Sequence, residues 1–204
     1  MSLNPLLFVD IETTGHDPLK LVNGQIVPWH EIIDFAALFV NPVTLDMYKA
    51  ISLKVKPEHP ERCLPDLINH YPERASRGGW EVARPLDEVM HYFLKFCVED
   101  KVIAIGQNFF FDWSFISVGF ASSGISESDW GKCLHYSKLD IRSMAVQALL
   151  KPNEAYNPNN FSLRNGSLSE RLGIAPEPIP HTAYNGAMQA YLVYKRLNEL
   201  KEAR

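Results

Sequence analysis

The sequence predicts an α/β fold, a mixed sheet with helices on both faces. Three observations lead there. Three strand-like runs come first, between Leu6 and Val55; strand-like and helix-like segments then alternate; and the chain closes on a long amphipathic segment, Ala183 to Glu202. Strands followed by α/β alternation suit a sheet that begins as an antiparallel meander and continues through helical connections. A chain of 204 residues buries enough surface for one core, so residues 1–204 are read as a single domain.

Each element has its own signal. Leu6 to Ile11 is a short buried strand, broken at Thr13-Thr14-Gly15 by a residue tolerant of positive φ. Ile32 to Val40 and Ala50 to Val55 are the next strands, with a turn at Asn41-Pro42. Residues 56–84, rich in Pro, Arg, His and Gly, form a long, partly helical connection. A helix over Pro85 to Val98 follows from Pro85 in the first turn, acids at Asp87 and Glu88, and Leu86, Val89, Met90, Phe93 and Phe96 at helical spacing. Val102 to Gly106 is a strand feeding Asn108 to Asp112 and a helix to about Ala121. Lys138 to Ile141 is a last short strand, and a helix from Arg142 to Leu150 comes after it. Ser167 with Glu170 reads as a capping box for a helix that ends near Gly173. In the last helix Met188, Tyr191, Tyr194 and Leu197 form the expected buried stripe.

Composition narrows the function classes. With 46% apolar and 22% charged residues and no apolar run of the ~18–20 residues a membrane span requires, no membrane association is expected. Met1 to Leu7 carries no basic residue, and Asp10 and Glu12 interrupt the apolar stretch, unlike a signal peptide. Cys63, Cys97 and Cys133 are odd in number and widely spaced, which predicts neither disulfides nor zinc and agrees with a cytoplasmic location. A net charge of −4 argues against holding long nucleic acid by backbone neutralisation. Small or terminal phosphodiester substrates are compatible with it, because a cation held by clustered acids can supply the missing positive charge. The sequence leaves the oligomeric state open.

Three segments carry candidate chemistry. In Phe8-Val9-Asp10-Ile11-Glu12-Thr13-Thr14-Gly15, strand alternation puts Asp10 and Glu12 on one face and Val9 and Ile11 on the other. Two mutually repelling carboxylates suit a hard divalent cation, Mg²⁺ or Mn²⁺; the plain alternative is a solvated strand end. In Gly106-Gln107-Asn108-Phe109-Phe110-Phe111-Asp112, the aspartate stands at a strand-to-helix junction, where it is either a functional carboxylate or the N-cap of the next helix. His181, after Pro178 and Pro180 and just before the last helix, is either a general base or a structural imidazole. The remaining histidines, His16 and His30 among them, have no comparable context.

Together these segments resemble the DEDD exonuclease superfamily in its DnaQ-like, histidine-containing subgroup, over nearly the whole chain. Phe8 to Gly15 looks like the first motif of that family, Asn108 to Asp112 like the second, and His181-Thr182-Ala183-Tyr184-Asn185-Gly186-Ala187 like the third. Ile32 to Phe35, Lys138 to Asp140 and Leu172-Gly173-Ile174 also stand where similar phrases occur. The third motif departs from the pattern, with Gly186 where the family has an aspartate five residues after the histidine. Asn185 is no substitute, since one position along a helix turns a side chain by about 100°. Met188 likewise defeats the tyrosine variant of the motif.

The resemblance implies an RNase H-like fold with a mixed five-stranded sheet, and a two-metal 3′→5′ exonuclease releasing nucleoside 5′-monophosphates. Asp10, Glu12 and Asp112 would hold two Mg²⁺ or Mn²⁺ ions, and His181 would take a proton from the attacking water. Thr13, Thr14, Gly15, Asn108 and Phe111 would contact nucleic acid, DNA or RNA, at its free 3′ end. Phe109 to Phe111 offer stacking surface, although Phe residues beside a strand more often belong to the core. The absent carboxylate implies impaired activity, which Gly186→Asp is expected to raise. It also supports an alternative, a catalytically degenerate domain that binds 3′ ends or a protein partner. A haloacid dehalogenase-like phosphatase is a third reading, disfavoured by Glu12 in the place of that family's second aspartate.

Overall fold

The computed structural model describes residues 3–97, 101–163 and 166–202. Its centre is a five-stranded sheet of order β5-β4-β1-β6-β7, built from β1 (Leu6–Thr13), β4 (Ile32–Val40), β5 (Met47–Lys54), β6 (Ile103–Gly106) and β7 (Leu139–Asp140). β4 pairs antiparallel with both β1 and β5, whereas β6 runs parallel to β1 and β7 parallel to β6. This is the mixed sheet expected from strands followed by α/β alternation. Every residue of β4 is buried, as a central strand covered on both faces requires. β5, at the sheet edge, exposes most of its residues, and its lysines Lys49 and Lys54 discourage pairing with another chain.

Helices cover both faces. Leu7, Val9 and Ile11 point to the side of α2 (Leu86–Cys97), α3 (Phe110–Ser122) and α4 (Glu127–Cys133), packing with Met90, Phe93, Phe115 and Phe120. Leu6 and Phe8 point the other way, toward α5 (Ile141–Leu149), α6 (Ser167–Leu172) and α7 (Ala183–Glu202). On that side Phe8 meets Tyr191 and Tyr194 edge-on at 5.6 and 5.5 Å. The α7 stripe is wider than expected: Ala183, Gly186, Ala187 and Ala190 are buried beside Tyr191 and Leu197, and Met188 and Tyr194 are only partly buried. Small residues there let the helix backbone approach β1. No described helix is long and apolar enough to cross a membrane. The three cysteines are free.

Several expectations need correction. Residues 19–28 form a hairpin, β2 (Leu19–Val22) with β3 (Gln25–Pro28), turning on Asn23 and Gly24 at φ 50° and 79°. Both strands are mostly exposed, so no burial pattern marks them, but the Asn-Gly pair is itself the hairpin signal. Strand β5 begins at Met47 rather than Ala50. The expected capping box fails because Ser167 lies inside α6, whose N-cap is Gly166; a capping box instead joins Ser126 to Asp129 at α4, a helix the sequence reading passed over. Asp112 is not an N-cap either, since α3 already begins at Phe110. The 56–84 connection is partly helical as expected, with α1 at Tyr71–Ser76. Val98, the expected end of α2, lies outside the described residues.

Asp140 pins the junction that positions the second motif. One carboxylate oxygen accepts from Phe109 N at 2.8 Å, and the other caps α5 by accepting from Ser143 N, also at 2.8 Å. Asp140→Ala is expected to destabilise the fold by about 1–3 kcal/mol, the sum of a lost helix cap and a lost charged hydrogen bond. Urea unfolding checks this, and an unchanged midpoint would show that the junction does not depend on it.

Candidate active site

The site begins where two strands part. β1 pairs with β6 only from Leu6 to Phe8, while β1 itself continues to Thr13, so its β6-side backbone is open beyond Phe8. Asp112 fills part of that gap: its Oδ1 accepts from Ile11 N at 3.2 Å, and the residue is 3% exposed. Gly106 permits the junction, because a Cβ there would lie 2.4 Å from the Phe109 ring and 3.0 Å from the Val9 carbonyl. Strand alternation then directs Asp10 and Glu12 to the α7 face, as the sequence implied.

The start of α7 closes the other side. His181 is 7% exposed, its backbone carbonyl accepts from Arg74 Nη1 at 3.0 Å, and its Nδ1 lies 3.4 Å from Glu177 Oε2. Arg74 also donates to Asn69 O, and Asn69 Nδ2 donates to Thr13 O at 3.0 Å, so the 56–84 connection ties the third motif to the end of β1. Asp34, opposite Glu12 in the β1–β4 register, pairs with Lys54 and accepts from Ala183 N at the head of α7.

One cleft of about 330 Å³ is lined by Asp10, Glu12, Asp112, His181 and Gly186. Thr13, Asn108 and Phe111 also line it, with Gln107, Arg142, Asn69, His16 and Glu177. Asn108 adopts a left-handed backbone, φ 55°, at the turn into α3. Two of the expected substrate contacts do not face the cleft. Thr14 is fully buried, its Oγ1 accepting from Glu31 N, and Gly15 is packed so closely on His30 that a Cβ would lie 2.4 Å from the ring. The three phenylalanines divide: Phe109 joins the core, Phe110 is 85% exposed, and Phe111 lines the cleft.

The electrostatics are those of acids held together without enough cations. Burial, then the charges of Asp112 and Glu12, raise the Asp10 carboxyl well above the usual carboxylate range. Burial raises Glu12 to about 7, against the opposing effect of a hydrogen bond from Asn69. Asp112 is also raised by burial, which the Ile11 N–H only partly offsets. Glu177 is raised to about 8 by burial and then by Glu12. Donor atoms of Glu12, Glu177 and His181 all lie within 4.8 Å of one another. Among the described residues, Asp34 Oδ1 and three atoms on cleft residues, Gln107 Oε1, Arg142 Nε and Glu177 Oε1, are buried without a hydrogen-bond partner. Carboxylate oxygens with one imidazole, Glu177 Oε1 unsatisfied among them, form a donor set that fits a hard divalent cation.

Position 186 is not a vacancy awaiting a side chain. A Cβ there would lie 2.4 Å from Asp10 Oδ2 and 2.6 Å from Asp10 Cγ, so the expectation that aspartate simply completes the site must be revised. The Asp10 carboxyl would have to turn away first. Sequence reasoning missed Glu177, Asn69, Arg74 and Arg142, and gave His16 no role. The signal for Glu177 was available in Pro176-Glu177-Pro178, a rigid segment four residues ahead of the histidine.

No family model matches the sequence, and no curated protein does. Solved structures do. The nuclease domain of 3'hExo, a DEDDh family member bound to rAMP, superposes with a TM-score of 0.67 at 16% identity, over 96% of this chain and 92% of that one. E. coli exonuclease I in complex with a dT13 oligonucleotide gives 0.66 at 19% identity, over 98% of this chain. The chain spans 43% of that protein's length. A full-length 3'-exonuclease gives 0.64 at 16% identity, over 98% of this chain and 83% of that one. The fold is that of the RNase H-like exonucleases, and the structural neighbours are exonucleases, one of them described as a DEDDh family member.

Two predictions follow from the charge cluster. Between the ordinary carboxylate range and pH 7 to 8, Glu12 and Glu177 hold protons in the folded protein that the unfolded chain has released. Stability in metal-free buffer should therefore fall as pH rises from about 5 to about 8. Urea midpoints should show that fall reduced in Glu12→Gln; equal slopes in the two proteins would contradict it. Gly186→Asp crowds Asp10 and adds a like charge, so it should cost about 1–3 kcal/mol without metal despite better helix propensity. Thermal unfolding in a chelator tests this, and a stabilised variant would show that Asp10 yields freely.

Proposed function

We propose that the chain is a metal-dependent 3′→5′ exonuclease that releases nucleoside 5′-monophosphates from DNA or RNA. The observation that carries this reading is the meeting of Asp10, Glu12, Asp112 and His181, from three separate parts of the sequence, on one cleft in a DEDDh-like fold. Asp10, Glu12 and Asp112 would hold the divalent cations, Mg²⁺ or Mn²⁺. Bound there, two such ions supply the charge that stabilises attacking and leaving oxygens in an in-line displacement. His181 would accept the proton of the attacking water at Nε2, because Nδ1 faces Glu177. Thr13, Asn108 and Phe111 would position the terminal nucleotide, and Arg142 offers a cation to a phosphate in a chain of net charge −4.

Nucleic acid is supported as the substrate class by neighbours whose structures contain a dT13 oligonucleotide or concern 3'-end recognition of a histone mRNA stem-loop. A cytoplasmic location accompanies the reading, in keeping with three free thiols. Gly186 favours a second reading, a domain that binds 3′ ends without cutting. End-labelled single-stranded DNA and RNA, incubated with the protein and Mn²⁺ or Mg²⁺, separate the two. Mononucleotide release is expected, faster with Mn²⁺, which binds such ligands more tightly and dehydrates more readily. Asp10→Ala should lower it on the order of a hundredfold or more. Binding without release would leave the second reading standing.

A further inference from the structure

We propose that Glu177 supplies the carboxylate that position 186 lacks, so that this chain holds its divalent cation with Asp10, Glu12 and an acid drawn from the loop before α7. The proposal rests on the metal-dependent reading of the same cleft. It stands on three observations. Glu177 lines that cleft with its side chain 6% exposed, and its Oε1 has no hydrogen-bond partner. A buried carboxylate oxygen is costly to leave unsatisfied, so an occupant is expected beside it. Its donor atom also lies within 4.8 Å of one from Glu12 and one from His181, a cluster that a small closing movement would let one divalent cation hold together. Finally, Asp10's carboxyl occupies the space a side chain at 186 would need. In the conformation seen, an anionic ligand has to enter from elsewhere.

The two oxygens of Glu177 are differently engaged. Oε2 faces His181 Nδ1 at 3.4 Å. Oε1 is the atom left for a cation. Pro176 and Pro178 flank the residue with fixed φ, so the chain presents the acid from a stiff segment. One carboxylate would thus serve as cation ligand through Oε1 and keep the imidazole oriented through Oε2.

The test uses the full chain and Mn²⁺ alone. Titration calorimetry on wild type, Glu177→Gln and Asp10→Ala should show Mn²⁺ affinity reduced about tenfold or more in both variants. Glu177→Gln preserves shape, so its melting temperature in a chelator should equal or exceed that of wild type, while its Mn²⁺-induced rise shrinks. Glu177→Asp, a shorter acid, should bind Mn²⁺ more tightly than Glu177→Gln. If Glu177→Gln binds Mn²⁺ like wild type while Asp10→Ala does not, the proposal is overturned, and Glu177 only orients His181. A wild type that binds Mn²⁺ through Glu177 but releases no mononucleotide would overturn the exonuclease reading and leave this inference intact.

Discussion

Everything at the site depends on β1 outrunning its partner. Up to Phe8 the strand is paired on both sides, and its side chains alternate between two apolar layers. From Val9 onward β6 has turned away, and the exposed backbone must find other donors and acceptors or meet solvent. Ile11 finds the Asp112 carboxylate, and Thr13 finds the Asn69 amide. The same parting gives Asp10 and Glu12, which continue the row of Leu6 and Phe8, a cleft where those residues have a core. A strand end thereby becomes a place where acids converge from β1, α3 and the approach to α7.

That convergence sets the electrostatic character of the molecule's centre. Lys54 is committed to Asp34, and Arg74 is tied to two backbone carbonyls, although its charge still favours ionised Glu12. Burial raises the proton affinity of Asp10, Glu12, Asp112 and Glu177, and the charge of Glu12 adds to it at the other three. Two remedies exist for such a cluster: protons, or a cation. Protons satisfy the charge but leave Glu177 Oε1 without a partner. A divalent cation would answer both deficits, which is why the chemistry of these donors points beyond a structural role.

Much of this was legible in the sequence because the signals were local. Ile32–Val40 is continuously apolar except at Asp34, so its bounds could be read directly. Asp10 and Glu12 share a face because strand periodicity demands it. The hairpin at 19–28 was passed over because neither strand buries a face, and the Asn23-Gly24 turn went unused. Thr14 and Gly15 stand in a phrase that resembles a family motif, but their packing against Glu31 and His30 arises from residues that sequence adjacency does not report. Glu177 was harder still. Its importance depends on a burial and a meeting with Glu12 that exist only once α7 lies on β1.

The contact between α7 and β1 also explains why glycine suits position 186. Ala183, Gly186, Ala187 and Ala190 form the buried small-residue side of the helix, which brings its backbone close to the strand. At that distance the Asp10 carboxyl reaches the place where a Cβ would stand. A side chain at 186 and the present Asp10 rotamer therefore exclude each other. A longer acid approaching from the neighbouring loop avoids the conflict, since Glu177 enters beside His181 and needs no room between helix and strand. With Glu177 as the proposed cation ligand, the glycine in the segment that resembles a DEDD third motif concerns where the negative charge is anchored, and close helix-to-strand packing is the physical constraint behind it.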